Sequence, residues 1–143
     1  MKTEKLKIFS AEITEHTEIP LSQNGVAAGF PSPADDFMDL SLDLNRELIK
    51  NPASTFFARV SGLSMIDEGI NDGDLLVIDK SIEPYNNALA VAYLDGEFTL
   101  KRFRDMGDYA LLMPANKDFE PIRVDADNDF MIWGVVSYII KKV

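Results

Sequence analysis

Residues 88–103 read ALAVAYLDGEFTLKRF, two runs rich in strand-forming residues on either side of Asp95-Gly96. An Asp-Gly pair between two such runs is a strong signal for a two-residue type I′ turn, in which both central residues need a positive φ. A loop of this length sets the hairpin register and places Lys101 opposite Ala90. We therefore predict a hairpin here, with a small neighbour that leaves space beside the lysine.

Runs of strand-forming residues also occur on both sides of the hairpin. From Thr55 onward, short runs rich in Val, Ile, Phe and Tyr are separated by Gly, Asp, Asn or Pro, as is typical of strands and their turns. These runs are TFFARVS (55–61), DLLVIDK (74–80), YALLMP (109–114), PIRVD (121–125) and FMIWGVVSYIIKKV (130–143). The sequence predicts a mainly β domain.

A short helix is predicted just before this β region. Asp43 is a suitable N-cap, because its side chain can accept a hydrogen bond from a backbone N–H of the first turn. The pair Asn51-Pro52 ends the helix, since the residue before a proline is disfavoured in helical conformation. The predicted helix runs from Leu44 to Lys50.

The N-terminal part has a different composition. Residues 1–29 mix lysines and glutamates with isolated apolar residues and show no lasting helical or strand period. They lead into QNGVAAGFPSPADD (residues 23–36), where glycines and prolines discourage both helix and continuous sheet. We predict an arm, loosely held or docked on a surface, that joins the β domain through an extended and accessible linker.

Composition excludes several classes of site. The 143 residues with 46% hydrophobic content are enough for one good core and too few for two independent domains to be expected. The chain has no cysteine and one histidine, His16, so a multi-histidine metal site is excluded and neither a metal nor another cofactor is predicted. Without an apolar run of membrane-span length or a signal peptide, we expect a soluble, cytoplasmic protein. The net charge of -10 argues against direct DNA binding.

The candidate nucleophile is Ser64 in VSGLSMIDEGINDGDLL (residues 60–76), where it directly follows a β run and a turn. A serine at such a corner is exposed, and its own backbone N–H and that of Met65 point where an oxyanion could form. The alternative is structural. Ser64-x-x-Asp67 also matches a capping box, in which the hydroxyl only satisfies the end of a helix.

Lys101 is the candidate general base. A serine nucleophile that lacks a usable histidine needs another base, and a lysine serves when its amine is neutral near the working pH. Alternation along EFTLKRF places Lys101 on the same strand face as Thr99 and Phe103, which does not decide whether it is buried. The alternative is an exposed lysine on an edge strand that discourages aggregation.

Together these two motifs resemble a known family. The string SGLSMIDEGINDGDLL, with the lysine of DGEFTLKRF 37 positions after its second serine, resembles the paired signatures of the LexA, UmuD and phage-repressor family of self-cleaving peptidases. The resemblance implies a LexA/UmuD-like C-terminal protease fold with a flexible N-terminal arm and a catalytic dyad of Ser64 and Lys101. It also implies cleavage of the Ala28–Gly29 bond in VAAGFP, which divides the chain into an arm, residues 1–28, and a peptidase and dimerisation domain, residues 29–143.

The length of the arm indicates the branch of the family. LexA and the phage repressors carry a DNA-binding helix-turn-helix domain before the cut, and the 28 residues before Gly29 are too few for one. The chain therefore resembles the UmuD-type branch. That resemblance implies a homodimer, stimulation of cleavage by a RecA filament on single-stranded DNA, and a trimmed form that joins a UmuC-like Y-family DNA polymerase in SOS translesion synthesis.

Three alternatives stay open at this point. A signal peptidase shares the serine, the lysine and the preference for small residues, but it normally needs a membrane anchor. A non-catalytic β interaction module would have Ser64 capping a turn and Lys101 on the surface. A repressor C-terminal domain separated from its DNA-binding half is the third.

Overall fold

The computed structural model describes residues 5–11, 18–21 and 40–143. Residues 1–11 and 51–143 form one compact unit, and residues 12–50 form a second. The predicted cleavage bond Ala28–Gly29 lies outside the described residues. That bond, and the domain boundary drawn there, stay predictions.

The described residues are mostly strands. In chain order they form β1 (Lys5–Ser10), β2 (Glu18–Leu21), β3 (Leu40–Asp43), α1 (Leu44–Leu48), β4 (Thr55–Ser61), β5 (Leu75–Asp79), β6 (Leu89–Leu94), β7 (Glu97–Asp105), β8 (Ala110–Met113), β9 (Ile122–Val124) and β10 (Phe130–Ile140). Short 3-10 helices, Pro52–Ser54 and Ile66–Glu68, lie before and after β4. The prediction of a mainly β fold is confirmed.

Most of these strands belong to one sheet in the first unit. Among the described residues, eight strands pair in the order β1-β4-β5-β10-β6-β7-β8-β9, and each neighbouring pair is antiparallel. The sheet curls, because β1 at one edge also contacts β7, which lies five strands away in this order. This curl is what lets residues of β4 and β7 approach each other.

The hairpin formed by β6 and β7 has the predicted register. Asp95 has a φ of 46° and Gly96 a φ of 94°, so both turn residues take the positive φ that a type I′ turn requires. Lys101 lies opposite Ala90, and Leu94 lies opposite Glu97. The predicted hairpin is therefore confirmed.

The N-terminal strand β1 was missed. Its residues pair with β4 along its whole length, from Lys5 opposite Ser61 to Ser10 opposite Phe56. Its two inward side chains, Leu6 and Ile8, pack against the core. The prediction that residues 1–29 show no strand periodicity is wrong for Lys5–Ser10 and also for Glu18–Leu21. Alternation over only four to six residues is too short to be recognised in a stretch rich in lysine and glutamate.

The second unit contains β2, β3 and α1. The two strands pair antiparallel, with Leu21 opposite Leu40. Asp43 is the N-cap of α1, and its side chain accepts hydrogen bonds from the backbone N–H groups of Asn45 and Arg46, at 3.1 and 3.4 Å. The helix ends at Leu48 rather than Lys50, because Ile49 is already extended with a φ of -119°. None of the helices in the part of the chain that the structure describes could cross a bilayer.

The core of the first unit anchors the turn that follows β4. Buried apolar side chains from four strands and from the turn form one cluster, which contains Ala58, Val60, Met65, Ile70, Leu76, Ile78, Leu89, Val91 and Leu100. A smaller cluster contains Ala92, Leu112 and Val124. Met65 directly follows Ser64 and is 2% exposed. Its burial fixes the backbone next to the candidate nucleophile.

Asp79, at the end of β5, is a buried carboxylate that organises the chain around it. Its Oδ1 accepts hydrogen bonds from the backbone N–H and the hydroxyl of Ser81, at 2.8 and 2.6 Å, and from the hydroxyl of Ser54 at 3.0 Å. Burial raises the pKa of Asp79, but the hydrogen bonds from Ser81, Ser54 and Asn51 outweigh burial and hold that pKa below its ordinary value.

We expect Asp79→Asn to lower the free energy of unfolding at neutral pH by about 1–2 kcal/mol, because an amide oxygen accepts these bonds more weakly than a carboxylate. The folded-state pKa lies below the unfolded-state pKa, so the carboxylate stabilises the fold above the unfolded-state value. This contribution is lost as the pH falls through the folded-state value. Urea unfolding of the wild type and of Asp79→Asn should show a difference in the free energy of unfolding that is smaller in acid than at neutral pH. An equal difference at acidic and neutral pH would contradict the assignment.

Candidate active site

The candidate nucleophile lies in the turn between β4 and the 3-10 helix Ile66–Glu68. The turn opens at Gly62, whose φ of 132° suits only glycine and whose backbone N–H donates to Oδ1 of Asp72 at 3.0 Å. Ser64 follows two residues later and is 2% exposed. The prediction that Ser64 stands at a strand-to-turn corner is confirmed, but its expected exposure is wrong because the side chain is buried.

The capping-box alternative for Ser64 is wrong. The N-cap of the 3-10 helix is Met65, and no side chain caps this helix. In a capping box the Ser64 hydroxyl would accept from the backbone N–H of Asp67. That N–H instead donates to the carbonyl oxygen of Ala115 at 2.7 Å. The hydroxyl of Ser64 is therefore not committed to ending a helix.

The segment after β8 holds the turn in place. The backbone N–H of Ala115 donates to the carbonyl oxygen of Ser64 at 2.8 Å, and Asn116 donates through Nδ2 to the carbonyl oxygen of Leu63 at 2.8 Å. Sequence reasoning did not identify either residue. The sequence PANK around them carries no signal beyond that of an ordinary turn, so only the folded chain reveals their role.

The candidate base lies inside the sheet. Lys101 lies on β7, which pairs with β6 on one side and with β8 on the other. Lys101 is 4% exposed. The alternative of an exposed lysine on an edge strand is therefore wrong. Its neighbour on the same strand face is Thr99, whose Oγ1 accepts a hydrogen bond from Nζ of Lys101 at 2.6 Å. Strand alternation placed Thr99 on this face, and that signal could have identified it as a partner.

The two candidate groups meet in a buried environment. Nζ of Lys101 lies 3.0 Å from Oγ of Ser64, within hydrogen-bond distance. An amine at this distance can remove the hydroxyl proton when it is neutral, which would leave an alkoxide able to attack a carbonyl carbon. Few waters reach groups this buried, so their electrostatic interaction is stronger than it would be on the surface.

Within residues 5–11, 18–21 and 40–143, no three His, Asp or Glu side chains come together in an arrangement that could bind a metal ion. His16 lies outside these residues.

Comparison with known proteins identifies the family. Residues 20–137, which include the hydroxyl, the amine and the predicted cleavage bond, match the family described as Peptidase S24-like. The chain belongs to the peptidase S24-like family. The match covers well over half of the chain.

Individual relatives of this S24-like protein support the same assignment. It is 40% identical to protein MucA of Salmonella typhimurium over 136 residues, which cover 94% of this chain and 92% of MucA. It is 42% identical to protein SamA of the same species over 123 residues, which cover 86% of this chain and 85% of SamA. The LexA repressor of Providencia rettgeri is 37% identical over 138 residues, which cover 96% of this chain and 66% of LexA. The resemblance to the LexA and UmuD family is thereby confirmed, with UmuD-like relatives matching over most of their length.

Proposed function

We propose that this S24-like protein cleaves its own Ala28–Gly29 bond and acts in SOS mutagenesis, with Ser64 as nucleophile and Lys101 as general base. One observation carries the proposal: two buried polar groups from separate elements lie 3.0 Å apart, at the distance that proton transfer requires. The UmuD-like relatives MucA and SamA support the cellular role.

The first half of the reaction is acylation. Neutral Lys101 removes the proton from Oγ of Ser64, and Oγ attacks the carbonyl carbon of Ala28. The backbone N–H groups of Ser64 and Met65 donate to the resulting oxyanion. The protonated lysine then gives its proton to the nitrogen of Gly29 as the peptide bond breaks, which leaves an ester on Ser64.

The second half is hydrolysis of the ester. Lys101, neutral again, removes a proton from a water molecule that attacks the ester carbonyl, and it returns this proton to Oγ of Ser64 as the carbon–oxygen bond breaks. The products are residues 1–28 and residues 29–143. The same amine carries all four proton transfers and ends neutral, so the reaction consumes only water.

Thr99 supports the orientation of the base. A neutral amine has two N–H donors and one lone pair. If one N–H donates to Oγ1 of Thr99, at the 2.6 Å separation, the lone pair can point toward the hydroxyl of Ser64. In that orientation the amine can accept the hydroxyl proton.

Cleavage within one chain explains how a modest catalyst suffices. The bond to be cut and the dyad belong to one chain, so the effective concentration of the bond at the dyad is high. Small residues at the bond, Ala28 and Gly29, would permit close approach to a buried hydroxyl. We further propose a cytoplasmic homodimer that a RecA filament on single-stranded DNA stimulates by favouring the cleavable conformation, and whose trimmed form joins a UmuC-like Y-family polymerase.

The test is a mass measurement. Purified protein incubated with RecA, single-stranded DNA and a nucleoside triphosphate should yield two fragments, whose masses correspond to residues 1–28 and 29–143. The reaction without RecA should be slower and give the same fragments. A cut at another bond, or no cut under either condition, would refute the proposed function.

A further inference from the structure

The sheet does not join the dyad partners directly. Ser64 follows β4 and Lys101 lies on β7, and three strands, β5, β10 and β6, lie between them in the sheet order. No ladder of backbone hydrogen bonds between β4 and β7 therefore sets the distance between the hydroxyl and the amine. That distance depends on what ties the turn after β4 to β7.

The hydrogen bonds of Ala115 and Asn116 hold the turn to the segment after β8. An ion pair ties it to β7 itself. Glu68 is the last residue of the 3-10 helix that follows Ser64, and Arg102 is the residue after Lys101 on β7. Nε of Arg102 lies 3.0 and 3.3 Å from the two carboxylate oxygens of Glu68, and Nη2 lies 2.6 Å from Oε1. Two guanidinium nitrogens thus contact one carboxylate, an arrangement that restricts orientation as well as distance.

The arginine is also held from the opposite side. Its Nη1 donates to the carbonyl oxygen of Asn87 at 3.1 Å, in the loop before β6. The side chains of Arg102 and Glu68 are 33% and 31% exposed, and both line an open pocket together with Met113 and Pro114. An isosteric change at Glu68 therefore opens no buried hole.

We propose that the Glu68–Arg102 ion pair positions the turn of Ser64 against Lys101, so that both are positioning residues for the self-cleavage proposed above. Neither touches the reacting atoms. A partly exposed ion pair adds little to the stability of a fold. A small displacement of two reacting groups, however, costs a large factor in rate, because proton transfer and attack need near-ideal geometry.

The variant Glu68→Gln tests the inference, since it keeps the size of the side chain and removes its charge. We expect self-cleavage without RecA at alkaline pH to slow about tenfold, while the thermal unfolding temperature stays close to that of the wild type. A matched control is Glu97→Gln, which makes the same change at an exposed glutamate at the hairpin end of β7. That control should cleave at the wild-type rate.

Salt dependence separates positioning from a general structural effect. Raising the ionic strength weakens a partly exposed ion pair, so wild-type cleavage should slow with added salt. The rate of Glu68→Gln should change less, because the pair is already absent. Equal rates for Glu68→Gln and the wild type, or equal salt dependence, would overturn the inference.

Failure of the proposed function would be recognised separately. The proposed function fails if the wild type makes no cut at Ala28–Gly29, whatever the result for Glu68→Gln. Amide hydrogen exchange of residues 62–68 would then decide whether the ion pair holds the turn, measured in a Ser64→Ala background. Faster exchange in Glu68→Gln than in Glu97→Gln would support the inference, and equal exchange would overturn it.

Discussion

Replacing Ser64 with Ala, or Lys101 with Met, should reduce self-cleavage to an undetectable level. Ser64→Ala removes the nucleophile, so no acyl-enzyme can form. Lys101→Met retains the length and apolar stem of the side chain but removes the base, for which we expect a loss of about 10²–10⁴-fold or more. Fragment masses after long incubation, with and without a RecA filament, would measure both effects.

The controls for these variants concern folding and charge. Both variants should unfold cooperatively near the wild-type temperature, since each replaces a buried side chain by one of similar or smaller size. Lys142→Met removes an exposed lysine near the C-terminus and should cleave normally. Normal cleavage by Lys101→Met would refute the role of the amine, and normal cleavage by Ser64→Ala would refute that of the hydroxyl.

The rate of self-cleavage without RecA should rise with pH. Only the neutral amine of Lys101 can accept the hydroxyl proton, so the rate follows the neutral fraction. Initial rates in matched ionic strength across neutral and alkaline pH would show this rise.

Two comparisons make the pH experiment specific to Lys101. Lys101→Met, which lacks the amine, should show no rise in cleavage over the same pH range. Wild-type fragments should have the same masses at every pH, since the bond that is cut does not change. A wild-type rate that is the same at neutral and alkaline pH would count against lysine as the base.

The burial of the site has a consequence for regulation. Ser64 and Lys101 are 2% and 4% exposed, so a peptide bond must enter a closed environment before reaction. A partner that stabilises the conformation with the bond inserted would accelerate cleavage without supplying any catalytic group. This is consistent with the proposed action of a RecA filament.

Local features of the fold were predictable because their signals lie within a few residues. The β6–β7 hairpin followed from Asp95-Gly96, and the start of α1 followed from Asp43. Strands β4 to β10 followed from short apolar runs between turn residues. The strand β1 was missed, since its alternation is short and its partner β4 begins 45 residues after β1 ends.

The sequence by itself determined strands β4 to β10, the hairpin register and the residue types of the candidate site, because turn chemistry and strand alternation act between near neighbours in the chain. Tertiary structure alone decided that the hydroxyl of Ser64 and the amine of Lys101 lie 3.0 Å apart and buried. It also decided that Glu68 reaches Arg102. These contacts depend on how far an eight-stranded sheet curls, which is a collective result of packing across strands that are distant in sequence.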